Sequence, residues 1–578
     1  MDTYKRLFKY TPEKMHCVYI SIVCSALGVA CQMGAFWYLW KFLHALLVTK
    51  SVTDGSFYAT VIVALMLGYS VVYFASLWAS HVLGFRLESN LRKEAIKHLM
   101  NASFAFFDVN NSGKIRKIID DNAQETHMIV AHLIPDNVAA IVTPILMFVI
   151  IFMVDIKLGL LLLLIAIIGG VQMMFMMGDK HFMQKYQAAL EKMNGEAVEY
   201  VRGMQVVKIF KSTVESFKAF YTAITDYSDL AYKYTLSCRK PYVMFQVLFN
   251  LFTAFTIPAA IYYMNKGADG NIIIAKIIFY VCFAGILFGA FMRVMYVGMY
   301  NFQAKSVVDK LENLFTEMSK DNIEHGTEEK FDNFGIEFKN VSFGYNKENI
   351  LNNVSFKLEP NKTYALVGSS GGGKSTIAKL ISGFYKINEG EILIGGKNIA
   401  SYSKNALMKN IAFVFQTSKL FKTSIFENVK MGNKNASDEE VMKALSLARC
   451  DDILDKFKDR EHTLIGSKGV HLSGGEIQRV AIARAILKNA DIIILDEASA
   501  AADPENEYEI QQAFSNLMKN KTVIMIAHRL SSIKNVDEVL VVEDGNIIER
   551  GSDKELMTKD GKYCQLQKLY SKANEWRF

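Results

Sequence analysis

The chain has 578 residues, of which 51% are hydrophobic, and a formal net charge of +7. A single ordinary hydrophobic core does not extend over that length, so two or more domains are expected. So small a basic excess gives no case for a nucleic-acid partner, and in a membrane protein it belongs to cytoplasmic loops.

The apolar residues are unevenly spread, with a Phe-, Met-, Ile- and Leu-rich stretch over 15–300 and a Lys- and Glu-rich remainder. Runs long enough to cross a bilayer lie near 15–40, 57–83, 136–153, 157–178, 243–264 and 271–298. The first is too long for a cleaved signal peptide and is read as a membrane span. Cys17, Cys24 and Cys31 recur every seven residues along it, on one helical face, which suits small-residue helix packing better than a metal or heme site. No CxxC pair occurs among the seven cysteines, a pattern that fits free thiols in a reducing interior. Only Asp155, Ile156 and Lys157 separate the third and fourth spans, which predicts a tight hairpin. The long connections after spans two and four carry Arg86, Arg92, Lys93, Arg116, Lys192, Arg202 and Lys208, whereas the alternate turns carry few cations. The positive-inside rule therefore puts both long loops and both termini in the cytoplasm. The expected division is a transmembrane domain over 1–318, a linker over 319–335 and a soluble α/β domain over 336–578.

In the soluble part, strands are expected at Gly335–Ser342, Thr363–Val367 and Asp491–Leu495. The second strand runs into Gly368, Ser369, Ser370, Gly371, Gly372, Gly373, Lys374, Ser375 and Thr376, a phosphate-binding loop opening a helix. Its glycines let backbone amides approach an anion without Cβ obstruction, Lys374 reaches β- and γ-phosphate oxygens, and the Ser375 hydroxyl suits Mg²⁺. Asp496 ends the aliphatic run of the third strand and is placed to hold Mg²⁺ through water. Glu497, pointing the other way, is the candidate general base for an attacking water.

Between these two elements lies Leu472-Ser473-Gly474-Gly475-Glu476, at the start of a helix and hence at a ready anion site. With the phosphate loop before it and the Asp-Glu pair after it, the region resembles the ATPase of an ABC transporter. The whole chain resembles an exporter-fold ABC half-transporter: a six-helix transmembrane domain followed by an α/β P-loop ATPase domain. The resemblance implies ATP and Mg²⁺ as ligands and further roles for individual residues. Gln416 would sense Mg²⁺ and contact the membrane domain, His528 would meet the γ-phosphate, and Tyr345 would stack on adenine. Ser473, Gly474 and Gly475 would face the γ-phosphate held by a second ATPase domain, with Asp503 reaching across the dimer. A homo- or heterodimer with two sandwiched ATPs, in a bacterial inner membrane, is the implied working unit. Short transverse helices are expected at the tips of the cytoplasmic loops, near 112–126 and 211–226. Three positions depart from the family pattern: Glu476 replaces the usual Gln, Ala500 lacks a hydroxyl, and Ser467 stands where a Glu contacts a loop helix. They are compatible with a heterodimer.

Arg293, Gln32, Gln172, Gln246 and Asn250 are the polar candidates for a substrate cavity, and Met173–Met177 for an adaptable apolar surface. The resemblance leaves the cargo open. Export of an amphipathic small molecule, peptide or lipid is one reading. Uptake of an iron-siderophore chelate is another, because residues 500–506, Glu476 and Tyr200–Gly203 look similar to siderophore importers built on the exporter fold. An ATP-gated channel or regulator is the remote third.

Overall fold

The computed structural model describes residues 2–176, 180–209, 217–320, 323–345, 348–383, 385–466, 469–496, 504–527 and 536–575. Its contacts fall into two units, Met1–Lys97 with Gly113–Leu314, and His98–Ser112 with Phe315–Phe578.

In chain order the helices begin with α1 (Asp2–Phe8), α2 (Met15–His44), α3 (Val52–Asn101), α4 (Phe104–Val109) and α5 (Ser112–Val154). They continue with α6 (Ile156–Met176), α7 (Lys180–Arg202), α8 (Met204–Ile209), α9 (Lys218–Asn265) and α10 (Gly270–Ser319). Among the described residues, five helical segments are long and apolar enough to cross a membrane: Pro12–Thr49, Val52–Asn101, Ser112–Val154, Ile156–Phe175 and Gly270–Ser319. The further span expected over 243–264 lies on α9, which is not one of these five.

Small hydroxyl residues let helices of the first unit approach closely. Ser25 Oγ donates to the Pro135 carbonyl at 2.9 Å, Ser76 Oγ to that of Ser21 at 2.8 Å, and Ser80 Oγ to that of Ala131 at 2.7 Å. Without water between helices, such contacts and tight packing replace the hydrophobic drive. Leu83, Leu87, Val130, Ile134, Val307 and Leu311 form one buried cluster, and Trp40, Met147, Ile151, Phe279 and Phe283 belong to another. Arg6 ties α1 to α10 through Asp309 at 2.7 Å and Glu312 at 2.6 Å.

The short helix of the first long loop is α4, not 112–126, which is the first part of the long helix α5. Ser103 and Asn110 flank α4 with extended backbone, while Phe106 is buried, so the chain closes one short helix before α5 begins. For the second expected helix, 211–216 lies outside the described residues, and 218–226 is the start of α9.

The second unit contains two sheets. Strands β1 (Ile336–Phe343), β2 (Leu351–Leu358), β3 (Thr363–Val367), β4 (Glu389–Ile394), β5 (Lys397–Asn398), β6 (Ile411–Val414), β7 (Ile492–Asp496), β8 (Thr522–Ile526), β9 (Glu538–Glu543) and β10 (Asn546–Gly551) supply them. The smaller is antiparallel in the order β2-β1-β4-β5, and the larger runs β10-β9-β3-β8-β7-β6. In the larger sheet every pair from β9 to β6 is parallel. Its central strands β7 and β8 are mostly aliphatic and buried on both faces, as parallel strands require. Around the sheets lie α11 (Lys374–Ile381), α12 (Lys404–Asn410), α13 (Ile425–Lys430), α14 (Asp438–Leu447), α15 (Asp451–Asp455), α16 (Gly474–Lys488), α17 (Pro504–Met518), α18 (Asp553–Thr558) and α19 (Lys562–Glu575).

Candidate functional site

Strand register determines what meets at the carboxyl edge of the larger sheet. Val414 pairs with Leu495, Asp496 with Ile526, and Leu366 with Ile526. The loops leaving β3, β6 and β7 therefore start side by side, bringing the phosphate loop, Gln416 and Asp496 to one edge. Ligand sites of open parallel sheets form at this end of the strands.

The phosphate loop turns sharply at Gly368, where φ is +147° and a Cβ would lie 2.0 Å from the Val542 carbonyl oxygen. No side chain fits there. Gly373, with φ of +103°, then caps α11. The Gly545 N–H donates to the Gly372 carbonyl at 3.1 Å, which holds the loop against the β9–β10 turn. Lys374 is only 4% exposed, and its Nζ donates to the carbonyls of Gly368 at 3.0 Å and Ser369 at 2.7 Å. Ser369, Ser370 and Gly371 form an exposed crown, while Ser375 is half-buried and Thr376 buried in the first turn of α11. Such an arrangement, with the Lys374 ammonium already inside the loop, is suited to an anion such as phosphate.

The second glycine element is built as a helix cap. Ser473 Oγ accepts the Glu476 N–H at 3.3 Å, and Glu476 Oε2 accepts the Ser473 N–H at 2.7 Å, a reciprocal capping box. Glu476 Oε1 also takes Lys456 Nζ at 2.6 Å. Burial raises the affinity of the Glu476 carboxyl for a proton, but Lys456 and the Ser473 amide outweigh it and hold the group below the usual carboxylate range. Glu476 thus faces inward as a cap, and Ser473 and Gly474 are the exposed part of the turn.

The ABC transporter family model matches residues 351–500, and that of the ABC transporter transmembrane region matches residues 18–291. The ATP-dependent lipid A-core flippase of Pasteurella multocida is 34% identical over 527 residues, 89% of this chain and 88% of that protein. The chain belongs to the ABC transporter family. A putative multidrug export ATP-binding/permease protein of Bacillus subtilis, YgaD, is 31% identical over 86% of this chain and 84% of its own length. The mycobactin import ATP-binding/permease protein IrtA of Mycobacterium tuberculosis is also 31% identical, over 95% of this chain. This chain spans 64% of the length of that relative.

Within this ABC protein Tyr345 lies against α11, its hydroxyl 3.5 Å from Thr376 Oγ1 and its ring 5.4 Å from Lys379 Nζ. Tyr385 meets it edge-on at 5.7 Å. The Tyr385 hydroxyl donates to Asp108 Oδ2 at 2.7 Å, and Lys379 approaches Asp108 Oδ1 at 3.5 Å. Burial, then the neighbouring Asp108 carboxylate, pushes the Tyr385 phenol well above its ordinary range. Phe104 and Ala105 of α4 pack on the same core as Tyr345. Segment His98–Ser112 is thereby part of the ATPase unit.

Glu497, Asp503, His528 and Ser467 lie outside the described residues, as does Ala500. Sequence reasoning missed Arg479, Lys456, Lys379 and Tyr385. Arg479 is 1% exposed and anchors α16: its Nη1 donates to Arg449 O at 2.5 Å and Asp452 Oδ1 at 2.7 Å, its Nη2 to Asp452 Oδ2 at 2.9 Å and Asn506 Oδ1 at 3.0 Å. Arg479→Ala is expected to destabilise the ATPase unit by about 2–3 kcal/mol, the cost of a broken buried pair reduced because Asp452 is half exposed. Chemical denaturation of the full protein checks this, and an unchanged midpoint would remove Arg479 from that role.

Proposed function

We propose that the chain is one half of an ATP-driven transporter that moves an amphipathic small molecule, peptide or lipid across a bacterial inner membrane. The observation carrying this reading is the gathering of the phosphate loop, Gln416 and Asp496 at one sheet edge, in a chain whose described residues include five membrane-length helices. A second half-transporter, the same chain or a different one, completes the unit. The exposed Ser473–Gly474 turn, with Gly475 and Asp503, then faces ATP held by the partner. The long loops and both ATPase domains lie in the cytoplasm, in keeping with the cations of those loops.

The glycine cradle fits a triphosphate, because its crown is exposed and nothing lies within 4 Å of where a Cβ at Gly371 would stand. Ser375, Gln416 and Asp496 suit Mg²⁺, which when bound neutralises charge on the phosphates. Lys374 adds a fixed positive charge where the β- and γ-phosphate oxygens sit, and Tyr345 offers its ring to adenine. Glu497 accepts a proton from the water whose oxygen bonds to the γ-phosphorus, while the bond to the bridging oxygen breaks and ADP leaves. His528 contacts the γ-phosphate.

For the cargo path, α9 carries Tyr242, Gln246 and Asn250 at intervals of four along a hollow of about 600 Å³. Gln246 Nε2 donates to the Tyr242 hydroxyl at 2.8 Å, and Asn250 Nδ2 to the Gln246 carbonyl at 2.8 Å. Such a stripe is costly against lipid and suits a watery path. Gln32, Gln172 and Arg293 lie on other helices and do not line this hollow.

Import of a ferric chelate is the second reading, favoured by the mycobactin importer's match over 95% of this chain. Inside-out vesicles holding the purified protein distinguish the two. ATP-dependent accumulation of a labelled lipid or dye is the expected result, whereas ATP-dependent loss of a preloaded ferric chelate would replace export with import. Active ATP turnover with movement of neither would overturn both.

A further inference from the structure

A cavity of about 1050 Å³ opens in the membrane unit beside the two short turns, α5 to α6 and α9 to α10. It shares no lining residue with the α9 hollow. Its depth is apolar, with Phe152, Leu158, Leu161, Phe255, Pro258 and Ile277 in the wall. Its volume reaches the top of the range of about 300–1,000 Å³ usual for small-molecule sites, which is room for an acyl chain.

The charged groups at its mouth divide into a closed pair and an open pair. Lys276 Nζ meets Asp155 Oδ2 at 2.5 Å, and Asp155 Oδ1 accepts the N–H groups of Lys157 at 2.9 Å and Leu158 at 3.1 Å. That pair is satisfied internally. Lys157 is exposed, its ammonium 5.7 Å from the centre of the Tyr263 ring, with no carboxylate in ion-pair range among the described residues. Asp269 is exposed too; Oδ1 accepts the Asn271 N–H at 2.8 Å, and no cation pairs with it among the described residues. One open cation and one open anion therefore overhang an apolar well.

Aromatic residues show where these turns lie in a bilayer. Trp37, Tyr38 and Trp40 end α2, Phe57 and Tyr58 begin α3, and Tyr262 and Tyr263 end α9, all at the end of the spans bearing the short turns. Lys41, Lys157 and Lys266 lie over Trp37, Tyr263 and Tyr262. Tyr and Trp with snorkelling lysines settle at the headgroup level. Lys157 and Asp269 are then among headgroups, and the well lies among acyl chains.

We infer that this cavity holds one zwitterionic phospholipid with a primary-amine headgroup, its phosphate on Lys157, its ammonium on Asp269 and an acyl chain in the well. An anionic glycerol headgroup would leave Asp269 uncompensated, and a quaternary choline has no N–H to donate to it. The inference rests on the chain spanning a membrane and not on the cargo or its direction.

Native mass spectrometry of the full-length protein from nanodiscs of equal phosphatidylethanolamine, phosphatidylglycerol and phosphatidylcholine tests it. The wild type should retain phosphatidylethanolamine over phosphatidylcholine by about fivefold, the size of one net hydrogen bond of about 1 kcal/mol. Lys157→Ala and the well-filling Leu161→Trp should each lower total retention, while Asp269→Asn, which keeps the cap acceptor, should remove only the preference for the amine. Basal ATP turnover of the three variants serves as the folding control. Equal retention of the three lipids, preference for phosphatidylglycerol, or retention unchanged in Lys157→Ala and Leu161→Trp would overturn the assignment.

Discussion

Lys374→Ala should abolish ATP turnover in a protein that still folds. The ammonium is 4% exposed and held by two carbonyls of its own loop, so the unliganded loop already has the charge in place. Arriving phosphate oxygens exchange those carbonyl contacts for charge-assisted ones, which are about twice as strong. Removing a preorganised charge of this kind costs about 100-fold or more in rate. The loop itself should survive, because Gly368, Gly372 and Gly373 set its path through backbone contacts with β9 and the β9–β10 turn. MgATP at about 100 times its Kd should stabilise the wild type by about 2.7 kcal/mol and the variant by far less. Thermal shift with and without MgATP, alongside phosphate release, reads both effects. Wild-type turnover in the variant would exclude Lys374 from the phosphate site.

Glu497→Gln should separate what Lys374→Ala removes together. The residue follows Asp496, the last residue of β7, whose register with Ile526 starts it from the same edge as the phosphate loop. Glutamine keeps the size and hydrogen-bonding capacity but takes no proton from water, so turnover should fall about 10²–10⁴-fold while ATP still binds. The ATP-bound dimer should then accumulate, seen by retained labelled nucleotide and by size-exclusion chromatography. Loss of binding with loss of turnover would assign Glu497 to holding the nucleotide instead.

Much of this was legible in the residues. Apolar runs leading to Gly368 and Asp496 predict buried strands that end beside one another, and strands Thr363–Val367 and Ile492–Asp496 are there. The spacing Ser473-x-x-Glu476 is itself a capping-box signature, from which the inward turn of Glu476 could have been read directly. No local pattern reveals Arg479 or Tyr385 as anchors. Their partners Asp452 and Asp108 are 27 and 277 positions away in the chain, and only folding brings them together. The α4 error had a different source. The expectation near 112–126 came from the family resemblance, which gives the order of elements and not their bounds, whereas in this chain those residues are the first part of α5.

Segment His98–Ser112 groups with Phe315–Phe578. The ATPase unit is discontinuous in the gene: a fragment expressed from the linker onward leaves out Phe104, Ala105 and Asp108. Tyr385 would lose both its carboxylate and its Phe104 neighbour, exposing an apolar seat beside Tyr345. Such a fragment would be prone to self-association, and its nucleotide affinity should differ from that of the full chain. A faithful minimal ATPase would carry residues 98–112 as well, grafted through a designed loop.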